Sequence, residues 1–347
     1  MCPATPPRPD GPPHPAGTPR VLPADEAGIA EAVCLLRAGG IAVVPTETVY
    51  GLAADAANAG AVARVFAAKG RPAANPLIVH VADLAMAERY GRLSAVAQRL
   101  ALRFWPGPLT LVVERRPDAP VAPAVTAGLP TVALRVPAHP AMQSLIAGLG
   151  GGVAAPSANP SGRLSPTRAG HVLASGLAVP LVLDAGPCAA GLESTIVKVG
   201  PDGALRLLRP GALAAEAIAE AAGRPVAAAP AGGGETGGPA AAIESPGMML
   251  RHYAPRLPLL LEVTERQPGL FLIGFGPVAG DLNLSPAGDL AEAAAALFEA
   301  LHLAEASGAE RIGVAPIPAH GAGLAINDRL RRAAAAAGAG PPEAGGP

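Results

Sequence analysis

The stretch Lys69–His80 reads KGRPAANPLIVH, and the rest of the chain is best read outward from it. It opens on two cations one residue apart, Lys69 and Arg71. Pro72 and Pro76 stiffen the loop by fixing their own backbone angles, and Asn75 places a side-chain amide between them. Leu77–Val81 then reads as a buried strand ending near His80, because the run is short and apolar. On the other side, Asn58–Lys69 has helical spacing, with Ala61, Val65 and Ala68 on one face. A Lys-x-Arg pair on a rigid loop between a helix and a strand suits an anion with several oxygens, such as a polyphosphate. Lysine supplies a compact charge and arginine a flat fork of donors. Lys69 and Lys198 are the only lysines in a chain that carries 26 Lys and Arg together. A lysine that persists against such a bias does something arginine cannot. A simpler reading stays open: Lys69 is also a favourable cation at a helix C-terminus.

Composition narrows the class. A length of 347 residues predicts about two domains. Hydrophobic residues make up 50% of the chain, many of them Ala, so the core is built from small side chains. The formal net charge of -1 argues against a basic nucleic-acid surface over the whole chain and leaves only a local patch. Cys2, Cys34 and Cys188 are scattered, with no CxxC and no His cluster, which supports neither a zinc site nor a disulfide framework. The N-terminus lacks the apolar core of a signal peptide, and no stretch is long enough to span a bilayer. A cytoplasmic protein with no membrane contact is the expectation.

The chain in order gives an alternating pattern. Residues 1–20 are rich in Pro and Gly and are expected to be a disordered tail. Ala24–Gly40 reads as a helix and Ile41–Val44 as a strand. PTETVYGLAAD (Pro45–Asp55) is too polar at Thr46, Glu47, Thr48 and Tyr50 for a core strand, and its simplest reading is a surface turn with a Thr-to-backbone hydrogen bond. Two helices follow, Leu84–Tyr90 and Ser94–Phe104, and then FWPGPLTLVV (Phe104–Val113) turns into a strand with Trp105 as a core anchor. Thr131–Val136 (TVALRV) alternates like a strand but contains Arg135. That guanidinium needs either an internal carboxylate or a ligand carboxylate. His139–Leu149 reads as a helix. AAPSANPSGRLSPT (Ala154–Thr167) is a long loop bearing Ser157, Asn159, Ser161, Ser165 and Thr167, open to reading as a connector or as a set of ligand contacts. Leu181–Asp184 and Ser194–Val199 read as strands, Leu205–Leu208 leads into Arg209-Pro210-Gly211, and Leu213–Ala222 is helical. Gly223–Glu244 is Ala/Gly/Pro linker, and its GGGETGG is no phosphate loop, since no strand precedes it and no Gly-Lys-Ser/Thr follows. Ser245–Pro255 regains specific side chains, among them Tyr253. Strands at Leu259–Val263, Leu270–Phe275 and Arg311–Val314, with helices Asp289–Ser307 and Ala325–Ala337, predict a small α/β domain.

No Walker A, GxSxG, HExxH or kinase catalytic loop occurs. What remains is a dispersed set of anion and amide ligands: Lys69, Arg71, Asn75, Arg135, Ser157, Asn159 and Arg209. Such a set binds a phosphorylated ligand and a small anion without an obvious nucleophile. The motifs PTETVYGL, KGRPAANPLIVH, FWPGPLT, TVALRVPAHP, APSANPSG, GLESTIV and LLRPG stand in the order found in the YrdC-like family, which the chain resembles from about Val21 to Ala336. SPGM…RHYAP and GAGLAINDRLRRAA look like the long, two-domain form of that family, except that Met249 and Leu250 stand where the long form usually has Lys-Tyr.

The resemblance implies a fold and a reaction. The fold would be a twisted, mainly parallel α/β sheet with a concave positive face, plus a small Rossmann-like C-terminal domain. A catalytic domain would span 21–222, a linker or lid 223–256, the small α/β domain 257–337 and a disordered tail 338–347. The reaction would join L-threonine, bicarbonate or carbon dioxide, and ATP into L-threonylcarbamoyladenylate with release of pyrophosphate. A nucleotidyltransferase of this kind opens the route to threonylcarbamoyladenosine in tRNA, with a downstream tRNA threonylcarbamoyl transferase as partner and direct tRNA contact as a further option. By the same resemblance, Thr48, His80, Arg135 and Ser194 would hold L-threonine. Arg71, Asn75, Thr131, Ala155 through its backbone, Ser157, Ser165, Arg209 and Tyr253 would hold ATP. Lys69 and Arg71 would act in catalysis on the phosphates, with Mg2+ carried by the triphosphate and no metal bound by the protein itself. Other classes are an RNA-binding module without catalysis, against which the near-neutral charge weighs, and a carbamoyl-transfer domain of the hydrogenase-maturation type, whose zinc-finger cysteines this chain lacks.

Overall fold

The computed structural model describes residues 19–228, 244–246 and 252–337. The expected tails before residue 19 and after residue 337, the middle of the linker and the Met249–Leu250 pair lie outside the described residues. The chain divides into two compact units, Met1–Ser161 with Ser165–Met248, and Gly162–Leu164 with Met249–Pro347.

Local sequence explains the elements that frame the first unit. The helix Glu26–Arg37 starts at Asp25, whose carboxylate accepts from the Gly28 N–H. The helix Ala59–Lys69 starts at Asn58, which accepts from the Ala61 N–H in the same way, and stops at Gly70 in the left-handed region (φ 57°). Both are N-caps that satisfy an otherwise orphan donor, and Gly70 is the residue type that ends a helix at no steric cost. Lys69 is therefore the last helical residue, as both sequence readings require.

In chain order the strands of the first unit are β1 (Arg20–Pro23), β2 (Ala42–Val44), β3 (Gly51–Asp55), β4 (Ile78–His80), β5 (Gly91–Arg92), β6 (Leu109–Arg115), β7 (Thr131–Arg135), β8 (Val153–Ala154), β9 (Leu181–Asp184), β10 (Thr195–Val199), β11 (Leu205–Arg209) and β12 (Val226–Ala228). They form one sheet in the order β1-β9-β2-β3-β8-β4-β7-β6-β10-β11-β12, with β5 paired to β6. The α/β class is as expected. The sheet is mixed: parallel ladders such as β4 with β7 and β6 with β10 stand beside antiparallel ones such as β6 with β7 and β10 with β11. β3 was not evident from sequence, because four of its five residues are buried, three of them small, rather than alternating. The first sheet also extends to Ala228, where β12 pairs in parallel with β11. Cys188 is a free, buried thiol.

Register places one row of residues on one sheet face. Ile78 pairs with Ala133 and His80 with Arg135. Val112 pairs with Ala133, Thr110 with Ile196, and Ile196 with Arg209. Because side chains alternate with period two, His80, Arg135, Thr110 and Arg209 share the face of Ile78, Val112, Ala133 and Ile196; Leu208 joins that apolar cluster from the register shift opposite Ile196 and Val197. The larger core, with Tyr50, Leu52, Leu77, Val79, Leu111 and Leu134, packs on the opposite face.

The second unit has a wholly parallel sheet, β13 (Leu259–Leu260), β14 (Leu270–Gly274), β15 (Leu282–Asn283) and β16 (Arg311–Val314), in the order β13-β16-β14-β15. Parallel strands need crossover connections; the helix Leu290–Ala306 supplies the one between β15 and β16, and the helix Ala322–Ala337 follows the last strand. This is the Rossmann-like arrangement the sequence implied.

Candidate active site

The polar run Pro45–Tyr50 is an ordered turn. The Thr46 hydroxyl donates to the Val49 carbonyl at 2.6 Å and accepts from the Thr48 and Val49 N–H groups. It also lies 2.9 Å from the Thr48 hydroxyl. The expected Thr-to-backbone bond is present, but the turn is buried, with Thr46 and Thr48 at 3% and 1% exposure. A buried turn of this kind holds its side chains in fixed directions.

Those directions converge on Arg135. Its Nη1 donates to Thr48 Oγ1 at 3.0 Å and its Nε to the Gly107 carbonyl at 3.2 Å. Its Nη2 lies 2.6 Å from Glu47 Oε1. The anionic partner demanded by an arginine inside a strand is thus Glu47. His80, its register partner, is 2% exposed. Burial, and then the Arg135 charge, pull the His80 pKa down to about 3, so the imidazole is neutral at physiological pH. Its Nδ1 makes no hydrogen bond among the described residues.

A second group lies at the start of β10. The Ser194 hydroxyl is 2.8 Å from that of Thr110, and Arg209 donates from Nη2 to the Ser194 carbonyl at 2.9 Å. Arg209 Nη1 also reaches the Pro246 carbonyl at 3.4 Å. The Ser165 hydroxyl donates to Glu193 Oε1 at 2.5 Å. The backbone joins this group to the first, since Thr195 N–H donates to Pro108 O and Gly107 N–H to Val136 O.

The third group is the Lys69 loop. Lys69 is 3% exposed, and its Nζ donates to the carbonyls of Ser157 and Asn159, each at 2.5 Å. Its own carbonyl accepts from the Ser161 N–H at 2.7 Å. Burial, and then the nearby Arg71 charge, push its pKa well below the ordinary lysine value. Arg71 folds onto its own loop, donating from Nη2 to Asn75 Oδ1 at 2.7 Å and to the Pro76 carbonyl at 2.8 Å. The Ser157–Asn159 loop packs on the turn, because Ala158 N–H donates to Tyr50 O and Gly51 bridges Ser157.

Most of the sequence-derived residues therefore gather: Thr48, His80 and Arg135; Ser194, Arg209 and Ser165; Lys69, Arg71, Asn75 and Ser157. The Ala155 N–H is already given to the Ile78 carbonyl. Thr131 opens β7, about 13 Å along the strand from Arg135. Tyr253 lies in the second unit, its ring 4.0 Å from His252, 5.8 Å from Phe298 and 5.0 Å from the Arg329 guanidinium. Glu47, Thr110 and Glu193 were not identified from sequence. Their only signal was a place inside the PTETVYGL, FWPGPLT and GLESTIV motifs.

In the first unit the fully buried cations Lys69, Arg71, Arg135 and Arg209 face one fully buried carboxylate, Glu193, and the mostly buried Glu47. Such an excess favours anionic ligands. Among the described residues no group of three or more His, Cys, Asp or Glu could hold a metal ion. None of their helices is long and apolar enough to cross a membrane.

Fold and site together define the YrdC-like class of α/β proteins. The family model described as "Telomere recombination" matches residues 34–211, and that of the "Threonylcarbamoyl-AMP synthase, C-terminal domain" matches residues 213–335. The threonylcarbamoyl-AMP synthase of Bacillus subtilis is 39% identical, covering 90% of this chain and 94% of that protein. The one from Pyrococcus abyssi is 38% identical, covering 89% and 94%. The crystal structure of P. abyssi Sua5 complexed with L-threonine superposes with a TM-score of 0.80 at 36% identity, covering 90% of this chain and 96% of that one. The chain belongs to the threonylcarbamoyl-AMP synthase family.

Proposed function

We propose that this protein is an ATP-dependent nucleotidyltransferase that makes L-threonylcarbamoyladenylate. Its substrates are L-threonine, bicarbonate or carbon dioxide, and ATP. The threonine amine, as its free base, first adds through its lone pair to the carbon of carbon dioxide and loses one proton to solvent; with bicarbonate the same bond forms with loss of water. An oxygen of the new carbamate then attacks the α-phosphorus of ATP, and the α–β bond breaks to release pyrophosphate. No protein nucleophile is needed, so catalysis is alignment of two anions and offset of their repulsion.

The observation that carries this reading is Arg135. It is buried, held at Nε and Nη1, and flanked by Thr48 and His80 on one sheet face. In this reading it takes the threonine carboxylate, with Thr48, the neutral His80 and Ser194 around the rest of the molecule. Arg71, Asn75, Ser157, Ser165 and Arg209 take ATP, together with the Ala155 backbone and Thr131. Lys69 fixes the Ser157–Asn159 loop and keeps one N–H for phosphate. Mg2+ arrives on the triphosphate, which supplies its oxygen ligands. In this reading Tyr253 contacts ATP as well. The enzyme acts in the cytoplasm, and a tRNA threonylcarbamoyl transferase consumes its product.

The test is pyrophosphate release with each substrate omitted in turn. Release that requires threonine, bicarbonate and ATP supports the reading. Release at full rate without threonine refutes it.

A further inference from the structure

The ion pair between Glu47 and Arg135 is unusual in its detail. Glu47 Oε1 lies 2.6 Å from Arg135 Nη2. Yet Glu47 Oε1, Glu47 Oε2 and Arg135 Nη2 are all buried atoms that make no hydrogen bond among the described residues. The two groups meet as charges without sharing a directed proton. A carboxylate offers about four acceptor positions, of which the protein engages only those of Oε1 toward Arg135, and buried acceptors left without donors are costly. The same holds for the outer N–H groups of a buried guanidinium. Their neighbour His80 likewise has a buried Nδ1 without a partner. Three adjacent groups with unmet hydrogen-bonding capacity, one negative, one positive and one neutral, form a complementary surface for a zwitterion.

We propose that Glu47 binds the α-ammonium of the amino-acid substrate, while Arg135 binds its α-carboxylate. This deepens the proposed function and rests on it for the identity of the amino acid. An ammonium brings three N–H donors, which Glu47 Oε2 can accept together with the side of Oε1 not turned to Arg135. The Thr46 turn fixes Glu47 against Arg135, so the two charges are presented at a set spacing. The site therefore selects α-amino acids over hydroxy acids and other simple carboxylates. Holding the nitrogen also orients the atom that is carboxylated once the ammonium has released a proton to solvent and freed its lone pair.

The experiment is calorimetric titration of L-threonine and of 3-hydroxybutanoate, which is threonine without its amine, into wild type, Glu47→Gln and Glu47→Asp. Wild type should prefer L-threonine. Glu47→Gln should weaken L-threonine roughly tenfold or more, the effect expected of a lost charged hydrogen bond. The same variant should bind 3-hydroxybutanoate as well as wild type or better, because Arg135 loses its competing carboxylate. Glu47→Asp retains the charge and should keep the preference at reduced affinity. Equal weakening of both ligands in Glu47→Gln would overturn the proposal, leaving Glu47 as a support for Arg135. Unchanged L-threonine binding in that variant, or loss of the preference in Glu47→Asp, would overturn it too. Failure of the proposed function reads differently, as wild type that binds no L-threonine at all.

Discussion

The Lys69 ammonium and the Asn159 carbonyl meet at 2.5 Å, although the two residues stand 90 positions apart in the chain. With the matching bond to Ser157, this ties the end of one helix to the loop that carries the serine and asparagine. Substituting Lys69→Met leaves both carbonyls without their donor, at roughly 1–3 kcal/mol each when buried. Lys69→Arg keeps the charge but forces a wider fork into a full space, at about 1–3 kcal/mol of overpacking. Both variants should lower the melting temperature and raise the KM for ATP more than that for threonine. Wild-type turnover and stability in Lys69→Arg would reduce Lys69 to a charge at a helix end.

Arg135→Ala should weaken threonine far more than ATP. Removing one member of a buried charge pair costs about 2–5 kcal/mol and here also leaves Glu47 unpaired. Calorimetry of both ligands on one preparation decides it. Equal losses would show a general disturbance of the sheet.

His80 gives a pH dependence. Its folded pKa of about 3 lies below the ordinary value of 6.5. The unfolded chain therefore binds a proton that the folded one refuses as pH falls below that ordinary value. Stability from this residue is fully present above pH 6.5 and declines as the solution is acidified toward the folded pKa. The slope is at most about 1.4 kcal/mol per pH unit for one proton. Thermal melts between neutral and mildly acidic pH should fall more steeply for wild type than for His80→Asn. Parallel curves would remove His80 as a contributor.

Cys188 should be chemically quiet. Burial, chiefly, raises its pKa to about 12, with the Glu47 carboxylate adding to the effect and Arg135 opposing it. The thiolate is the reactive form, so peptide-resolved alkylation should be slow in the native protein and fast after denaturation. Rapid native labelling would mean that this wall of the site opens.

The sequence alone determined the elements and the inventory. Asn58 and Gly70 bracket a helix by capping chemistry, and Leu77–Val81 reads as a buried strand, observed at Ile78–His80, because these signals act within a few residues of one another. The persistence of Lys69 and the anomaly of Arg135 inside TVALRV were visible for the same reason. What could not be read was who meets whom. Glu47 looked like part of a surface turn, since nothing local reveals that β4, β7, β6 and β10 align to bring His80, Arg135, Thr110 and Ser194 together. Nor does any local signal tell that Lys69 spends two donors on a loop far along the chain, or that β6 runs antiparallel to β7 in a sheet expected to be mainly parallel. Capping and periodicity are short-range forces written in neighbouring residues. Register and ion pairing are set by how the whole sheet buries its two faces, and only the tertiary structure decides them.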